Sequence, residues 1–342
     1  MGEMKKLLHT IAHALFLGAG ILKYAVCGKN DYRAHRAMVY FFCLTGGKFN
    51  DWCSRKISWR RRPLALVTKA GVLGDMSGFG GQKALRQLKE KGYVTFKSAL
   101  SAQACERLLQ FALETPAIIR PMDGETIVGA PRFALYEASR PQAIRYDYST
   151  DVLLANAEVQ SLMADRSILA LAEKYLEARP RFDVLSMWWH TNFHDQPDSE
   201  AAQLYHFDLD RFKWLKVFIY LTDVGPKDGP HSFIEGSHAQ QGIPQNFLSR
   251  GYVRLSDEEV KAYYGAEKEV QFSAPRGTII VEDTRGLHKG NVVTGNSRLI
   301  LQLQLSNSLF GALYHKVSLP ARRSPALEAL IHQEPDVYKA YL

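Results

Sequence analysis

Apolar and polar positions along the chain change their rhythm near residue 180. Before that point the apolar residues recur mainly at helical spacing. A run from Leu7 to Leu22, interrupted by His9, Thr10 and His13, opens the chain. Ser101 stands as an N-cap before a helix through Cys105, Leu108, Leu109 and Ala112 that ends near Pro116. A further helix over Ser167–Leu176 carries Ile168, Leu169, Leu171, Ala172 and Leu176 on one face. Only Gly92–Lys97, with its β-branched and aromatic residues, reads as a strand in this half, and the stretch from Arg120 to Ser149 resists assignment and reads as loop over the site. From Arg181 onward short β runs alternate with turn signals. Strands are expected near Asp183–Asn192, Gln203–Asp208, Leu215–Val224, His231–Ile234, Val270–Ser273, Gly277–Glu282 and Arg298–Leu305. The last alternates cleanly from Leu301, as a strand with one buried face should. Many short strands so spaced point to a double-sheet jelly roll or barrel with helices outside.

Between the helical arm and the rest lies Gly71–Gly81, five glycines in eleven residues, which marks a flexible or tightly turning connection. We therefore divide the chain into an N-terminal extension with its glycine-rich linker, residues 1–85, and a main domain, residues 86–342. A length of 342 residues and an ordinary apolar fraction give this domain a sizeable core and exclude global disorder. Four cysteines without a C-x-x-C pair make neither a disulfide framework nor a zinc site, and fit a reducing, cytoplasmic compartment.

Charge sharpens the division. The formal net charge is +8, yet residues 1–69 hold thirteen Lys and Arg against Glu3, Asp31 and Asp51, a balance of +10. The body is therefore nearly neutral. The apolar run is shorter than the roughly 20 residues of a spanning helix, and Lys23 arrives before any small-x-small cleavage site of a signal peptide. Two readings remain open. One is an interfacial helix that, with Arg55, Lys56, Arg60, Arg61 and Arg62, touches an anionic membrane through residues 1–69. The other is a helical extension packed on the main domain with its charges in solvent. Nucleic acid is not expected, because no recognised binding motif accompanies the charge.

The chemistry centres on Tyr205-His206-Phe207-Asp208. In a strand, residues i and i+2 project to one side, so His206 and Asp208 can offer an imidazole and a carboxylate to one metal. Two histidines and one carboxylate leave the opposite face of an iron open, as oxygen chemistry requires. Among the ten other histidines, His288 has the best context: a buried strand leads into a turn, and Gly286 and Gly290 allow close approach of the backbone. Arg298, ten residues on, is a natural bidentate partner for the distal carboxylate of 2-oxoglutarate. A lone H-x-D or a lone arginine would more often be structural; the ordered set has a single mechanistic explanation.

Carried by Lys91-Gly-Tyr-Val-Thr-Phe, Ser186-Met-Trp-Trp, His206-Phe-Asp208, Lys216–Val224, Asp228-Gly-Pro-His-Ser-Phe-Ile-Glu-Gly-Ser-His238, His288 and Arg298, the sequence resembles the phytanoyl-CoA dioxygenase family over roughly residues 86–310. The resemblance implies an α+β, mainly β fold: a double-stranded β-helix (jelly roll, cupin-like) with flanking helices and, here, an N-terminal helical extension. It implies iron(II) on His206, Asp208 and His288, 2-oxoglutarate on Arg298 with Lys216 as a second contact, O2 as co-substrate, and ascorbate as a reductant. Asp208 fills the position that related halogenases leave without a carboxylate, which favours hydroxylation. Two departures stand out: Gly290 replaces a frequent hydroxyl residue, and Glu235 a usual proline. His238 reads as loop packing and His231 as a loop residue. Arg211, Lys213, Arg285 and Lys289 flank the metal motifs and either steer an anionic substrate or form a solvated rim. The substrate expected is a small or lipid-linked molecule, an anionic lipid or lipid-linked glycan. The opposing reading is a non-catalytic ligand-binding module that keeps the fold.

Overall fold

The alternation from Arg181 onward materialises as strands, and helices take up the outer face of the sheet they form. The computed structural model describes residues 2–64, 66, 70–120 and 130–342. Three helices come first, α1 (Gly2–Cys27), α2 (Tyr32–Thr45) and α3 (Lys48–Arg60), followed by α4 (Phe79–Lys91), β1 (Tyr93–Phe96) and α5 (Ala102–Glu114). Next come β2 (Ala117–Ile119), β3 (Phe133–Ala134), β4 (Arg145–Asp147), α6 (Thr150–Ala155), α7 (Ala157–Met163) and α8 (Arg166–Leu176). The strand-rich half holds β5 (Arg181–His190), β6 (Trp214–Tyr220), β7 (His231–Ile234), the short helices α9 (Gln245–Leu248) and α10 (Asp257–Tyr264), and then β8 (Glu269–Gln271), β9 (Ile279–Glu282), β10 (His288–Gly290) and β11 (Arg298–Ser306). Helix α11 (Pro325–Gln333) and a short 3-10 turn (Pro335–Tyr338) follow.

The strands build a large antiparallel sheet in the order β1-β9-β6-β11-β5-β4-β2-β3 and a small one in the order β10-β7-β8. This is the expected jelly roll. Its outer face is apolar: Leu299, Leu301, Leu303 and Leu305 of β11 join Leu215, Val217 and Ile219 of β6 in a core shared with α4, α5, α7 and α8. The opposite face looks into the barrel, where Trp188, Phe218, Tyr220, Phe233, Ile280 and Ile300 form a second cluster. β11 departs from its expected single buried face, since every residue from Arg298 to Ser306 is buried. As a central strand between β5 and β6 it is covered on both sides, and its polar positions Arg298, Gln302 and Gln304 face the barrel interior.

Ser101 caps α5 as anticipated, accepting a hydrogen bond from the Ala104 amide. Other expectations need correction. Residues 203–208 are not a continuous strand; they are tied by isolated bridges from Tyr205 to Leu255 and from His206 to His288. The limit placed between residues 85 and 86 falls inside α4, whose Ala84 and Leu88 are buried in the main core. The glycine-rich connection is a set of tight turns. Gly74 has φ +80°, and the amides of Val72 and Leu73 donate to Asp165 and Ser167 at 2.8 and 2.9 Å. Within the stretch from Arg120 to Ser149, β3 and β4 extend the large sheet, while residues 121–129 lie outside the described residues.

The N-terminal helices are docked against the barrel. The Asn30 side chain donates to the Leu309 carbonyl at 2.8 Å, the His35 ring nitrogen lies 3.0 Å from the Leu209 carbonyl, and the Phe42 ring stacks on Phe207 with centroids 5.8 Å apart.

Candidate metal and cosubstrate site

His206 and His288 sit directly opposite one another in an antiparallel bridge, exchanging both backbone hydrogen bonds at 3.0 and 2.9 Å. Paired residues in such a bridge project to the same side, so the two imidazoles meet with centroids 4.3 Å apart. Asp208, two residues along, shares that side. Its carboxylate lies 3.9 Å from His206 Nε2 and 3.3 Å from His288 Nε2, and all three side chains are buried. One ligand atom from each lies within 4.8 Å of the others. The expected triad therefore converges.

Its hydrogen bonds prepare it for a metal. Nδ1 of His206 is 2.9 Å from the Leu204 carbonyl, and Nδ1 of His288 is 2.9 Å from the Gly286 carbonyl. A carbonyl only accepts, so each Nδ1 carries a proton and Nε2 is the nitrogen each ring turns toward Asp208. Burial holds the His206 pKa well below the ordinary histidine value, so the ring is neutral. Burial opposes ionisation of Asp208, but Lys216 and the two histidines outweigh it and hold its pKa well below the usual carboxylate range. Two imidazoles that each present Nε2 and one carboxylate are the donor set a ferrous ion accepts.

Arg298 enters the barrel from the start of β11 and is 1% exposed. Its Nη2 donates to His190 Nδ1 at 2.8 Å, because β5 and β11 pair with His190 opposite Arg298. Nε and Nη1 are buried without a hydrogen-bond partner among the described residues. An uncompensated buried guanidinium is costly, and its free N–H donors suit a carboxylate. This is the fit that a 2-oxoglutarate anchor requires. Gly290 belongs to the same cradle: a Cβ there would lie 3.1 Å from Arg298 Nη2 and 3.4 Å from the His190 ring. The departure at position 290 thus coincides with a histidine that occupies the space and supports the arginine.

Lys216 projects from β6 into the barrel, where its Nζ donates to Asp208 Oδ2 at 2.6 Å. In this arrangement it partners a ligand carboxylate. The four flanking cations are committed elsewhere. Arg211 forms two 2.7 Å bonds with Asp183; Arg285 binds Asp283 and Asp51 at 2.7 Å; Lys289 binds Asp257 at 2.6 Å; Lys213 donates to the Tyr175 carbonyl at 3.1 Å. They build structure, and none is a solvated rim. His238 packs as expected, with Nε2 3.1 Å from the Lys89 carbonyl.

His231 is a correction. It lies on β7, buried, with Nε2 3.0 and 3.1 Å from the two Glu282 oxygens and its ring 5.7 Å from that of His288. Burial pushes the Glu282 carboxyl up to about 8 and His231 down to about 3, so the pair shares a proton near neutrality without net charge. No spacing signal links residues 231 and 282. His190 was readable in principle, as the end of an inward-facing Trp188-x-His190 alternation. Arg254 also escaped notice; its Nη1 is buried without a partner among the described residues, and its charge is felt at His206.

A family model described as phytanoyl-CoA dioxygenase matches residues 88–299. No curated protein matches the sequence significantly. Among solved structures, HygX from Streptomyces hygroscopicus with nickel and 2-oxoglutarate bound superposes with a TM-score of 0.50 at 14% identity, covering 71% of this chain and 94% of its own. The 2-oxoglutarate-dependent epimerase SnoN from nogalamycin biosynthesis has a TM-score of 0.43 at 16% identity, covering 66% and 82%. The matched segment spans both sheets and contains His206, Asp208, His288 and Arg298, and on that ground the chain belongs to the phytanoyl-CoA dioxygenase family.

Proposed function

We propose that the protein is an Fe(II)- and 2-oxoglutarate-dependent dioxygenase that hydroxylates an aliphatic C–H of a small molecule. The observation that carries this reading is the pairing of a buried His-Asp-His cluster with a buried arginine whose Nε and Nη1 are unsatisfied in the same barrel. When bound, iron, 2-oxoglutarate and O2 supply an oxidation that converts the cosubstrate to succinate and CO2 and places a hydroxyl on the substrate. The chain's own residues set the stage for it. His206, His288 and Asp208 present their donor atoms to one side, and backbone carbonyls lock both rings in the competent tautomer. Arg298 receives the distal carboxylate, held in aim by His190. Lys216 donates to Asp208 Oδ2 and holds the carboxylate in its anionic form. The barrel cluster of Trp188, Phe218 and Ile300 keeps bulk water away.

For the substrate we favour an anionic lipid or lipid-linked glycan. Arg254, free at Nη1 beside His206, supports an anionic group, and the basic N-terminal helices support a lipid carrier. The test is iron- and ascorbate-dependent release of succinate from 2-oxoglutarate, with and without candidate lipids. Asp208→Ala should lower it by more than about 100-fold, beyond what loss of a supporting partner costs. No iron-dependent turnover across a broad substrate panel would favour a non-catalytic binding module.

A further inference from the structure

Helix α1 is apolar on two opposite faces, and only one of them is covered. The inner face lies on α2: Leu17 is buried, a Cβ at Gly20 would overlap the Ala34 methyl, Thr10 bonds the Tyr40 hydroxyl at 2.7 Å, and Tyr24 meets Phe310. On the outer face, Leu7, Leu8, Ile11, Leu15, Leu22 and Val26 fall within an arc of about 100° at 3.6 residues per turn. All six are exposed, Leu15, Leu22 and Val26 by 68, 67 and 75%. The stripe spans Leu7 to Val26 of a 26-residue helix, about 29 Å at 1.5 Å per residue. An exposed apolar surface of this extent marks an interaction site.

A second exposed apolar feature lies on α3, reached from the covered side of α1. His13 stacks on Tyr40 (4.2 Å), Phe41 contacts Phe49 (4.9 Å) and Phe49 contacts Trp52 (6.0 Å), a ribbon of rings crossing α2. It ends at two exposed indoles, Trp52 and Trp59, which share a surface recess with Arg55 and Lys56. Indoles beside cations, next to an apolar helix with Lys5 and Lys23 along its flank, suit the interface of a bilayer.

We infer that α1 and α3 form a docking surface for an anionic phospholipid bilayer, with α1 lying in the interfacial plane. Charge selects this occupant. A second copy would oppose one surplus of +10 with another, whereas anionic headgroups neutralise it. By length and composition α1 is apolar enough to cross a membrane. Spanning, however, would strip away the inner-face contacts with α2 and Phe310.

The experiment is co-sedimentation of the full chain with phosphatidylcholine vesicles and with vesicles that also contain phosphatidylglycerol. Wild-type protein should bind the anionic vesicles at least about tenfold more strongly and lose that preference in high salt. The Leu8→Glu, Leu15→Glu, Leu22→Glu triple variant should lose at least about tenfold in binding, with unchanged melting temperature and 2-oxoglutarate turnover. Wild-type tryptophan fluorescence should shift to the blue on adding anionic vesicles, a readout that needs no variant. The inference is overturned by equal binding of wild type and a folded triple variant, by failure of the wild type to bind, by dimerisation through the stripe, or by resistance to alkaline carbonate extraction, which would indicate a spanning helix.

Discussion

Arg298 concentrates more of the local chemistry than any other side chain in the barrel. It is a buried cation, with one nitrogen satisfied by a neutral histidine. Arg298→Leu should raise the KM for 2-oxoglutarate by about 30-fold or more, the cost of losing a buried charged contact. It should change kcat far less; a kcat loss at unchanged KM, in initial-rate kinetics, would contradict the assignment. Glu282 predicts a pH dependence. Its folded pKa is raised from 4.5 to about 8, chiefly by burial. The stability it contributes is complete below about pH 4.5 and lost as pH rises through about 8. In chelator-treated protein, the melting temperature of Glu282→Gln minus that of wild type should therefore climb across this window, and a flat difference would refute it. The ligands themselves were legible because a two-residue spacing means one side of an extended backbone. The His231–Glu282 pair was not, because 51 residues separate them and only the approach of the two sheets joins them.

At the scale of elements, helices with a capping signal and a strong apolar face emerged almost where periodicity put them, as α5 and α8 show. Strands of four residues or more also declared themselves. β10 did not: three residues, His288-Lys-Gly, are too few for any period, and its existence depends on β7 lying beside it. β11 misled in one respect. Alternation of leucine with glutamine imitates a half-exposed strand, but the glutamines face a polar interior; Gln304 donates to Asp183 at 3.1 Å. The pairing of β11 with β5 also fixes the tight contact of Arg298 with Gly290 and His190. Gly290→Ser should displace the guanidinium and weaken 2-oxoglutarate binding by roughly tenfold, within the range for loss of a supporting partner. Calorimetric titration of the iron-free protein with 2-oxoglutarate and a redox-inert divalent metal would measure it; unchanged affinity would show that the cradle yields.

Taken whole, the molecule joins a helical layer to a barrel. A basic, apolar arm and a mainly β body could be told apart in sequence because charge and periodicity both change. Their docking could not, since contacts such as Asn30 with Leu309 span 279 residues and leave no local trace. Phe42 of α2 rests on Phe207, the residue between the candidate ligands His206 and Asp208, and His35 reaches the carbonyl of Leu209 just beyond them. Cutting away residues 2–60 should therefore lower iron affinity as well as thermal stability, readable by metal titration and melting of the truncated protein; full affinity in a folded truncation would contradict this. Arm and barrel are mechanically one piece: any load on the helices passes through the Phe42–Phe207 stack to the residues on either side of Phe207.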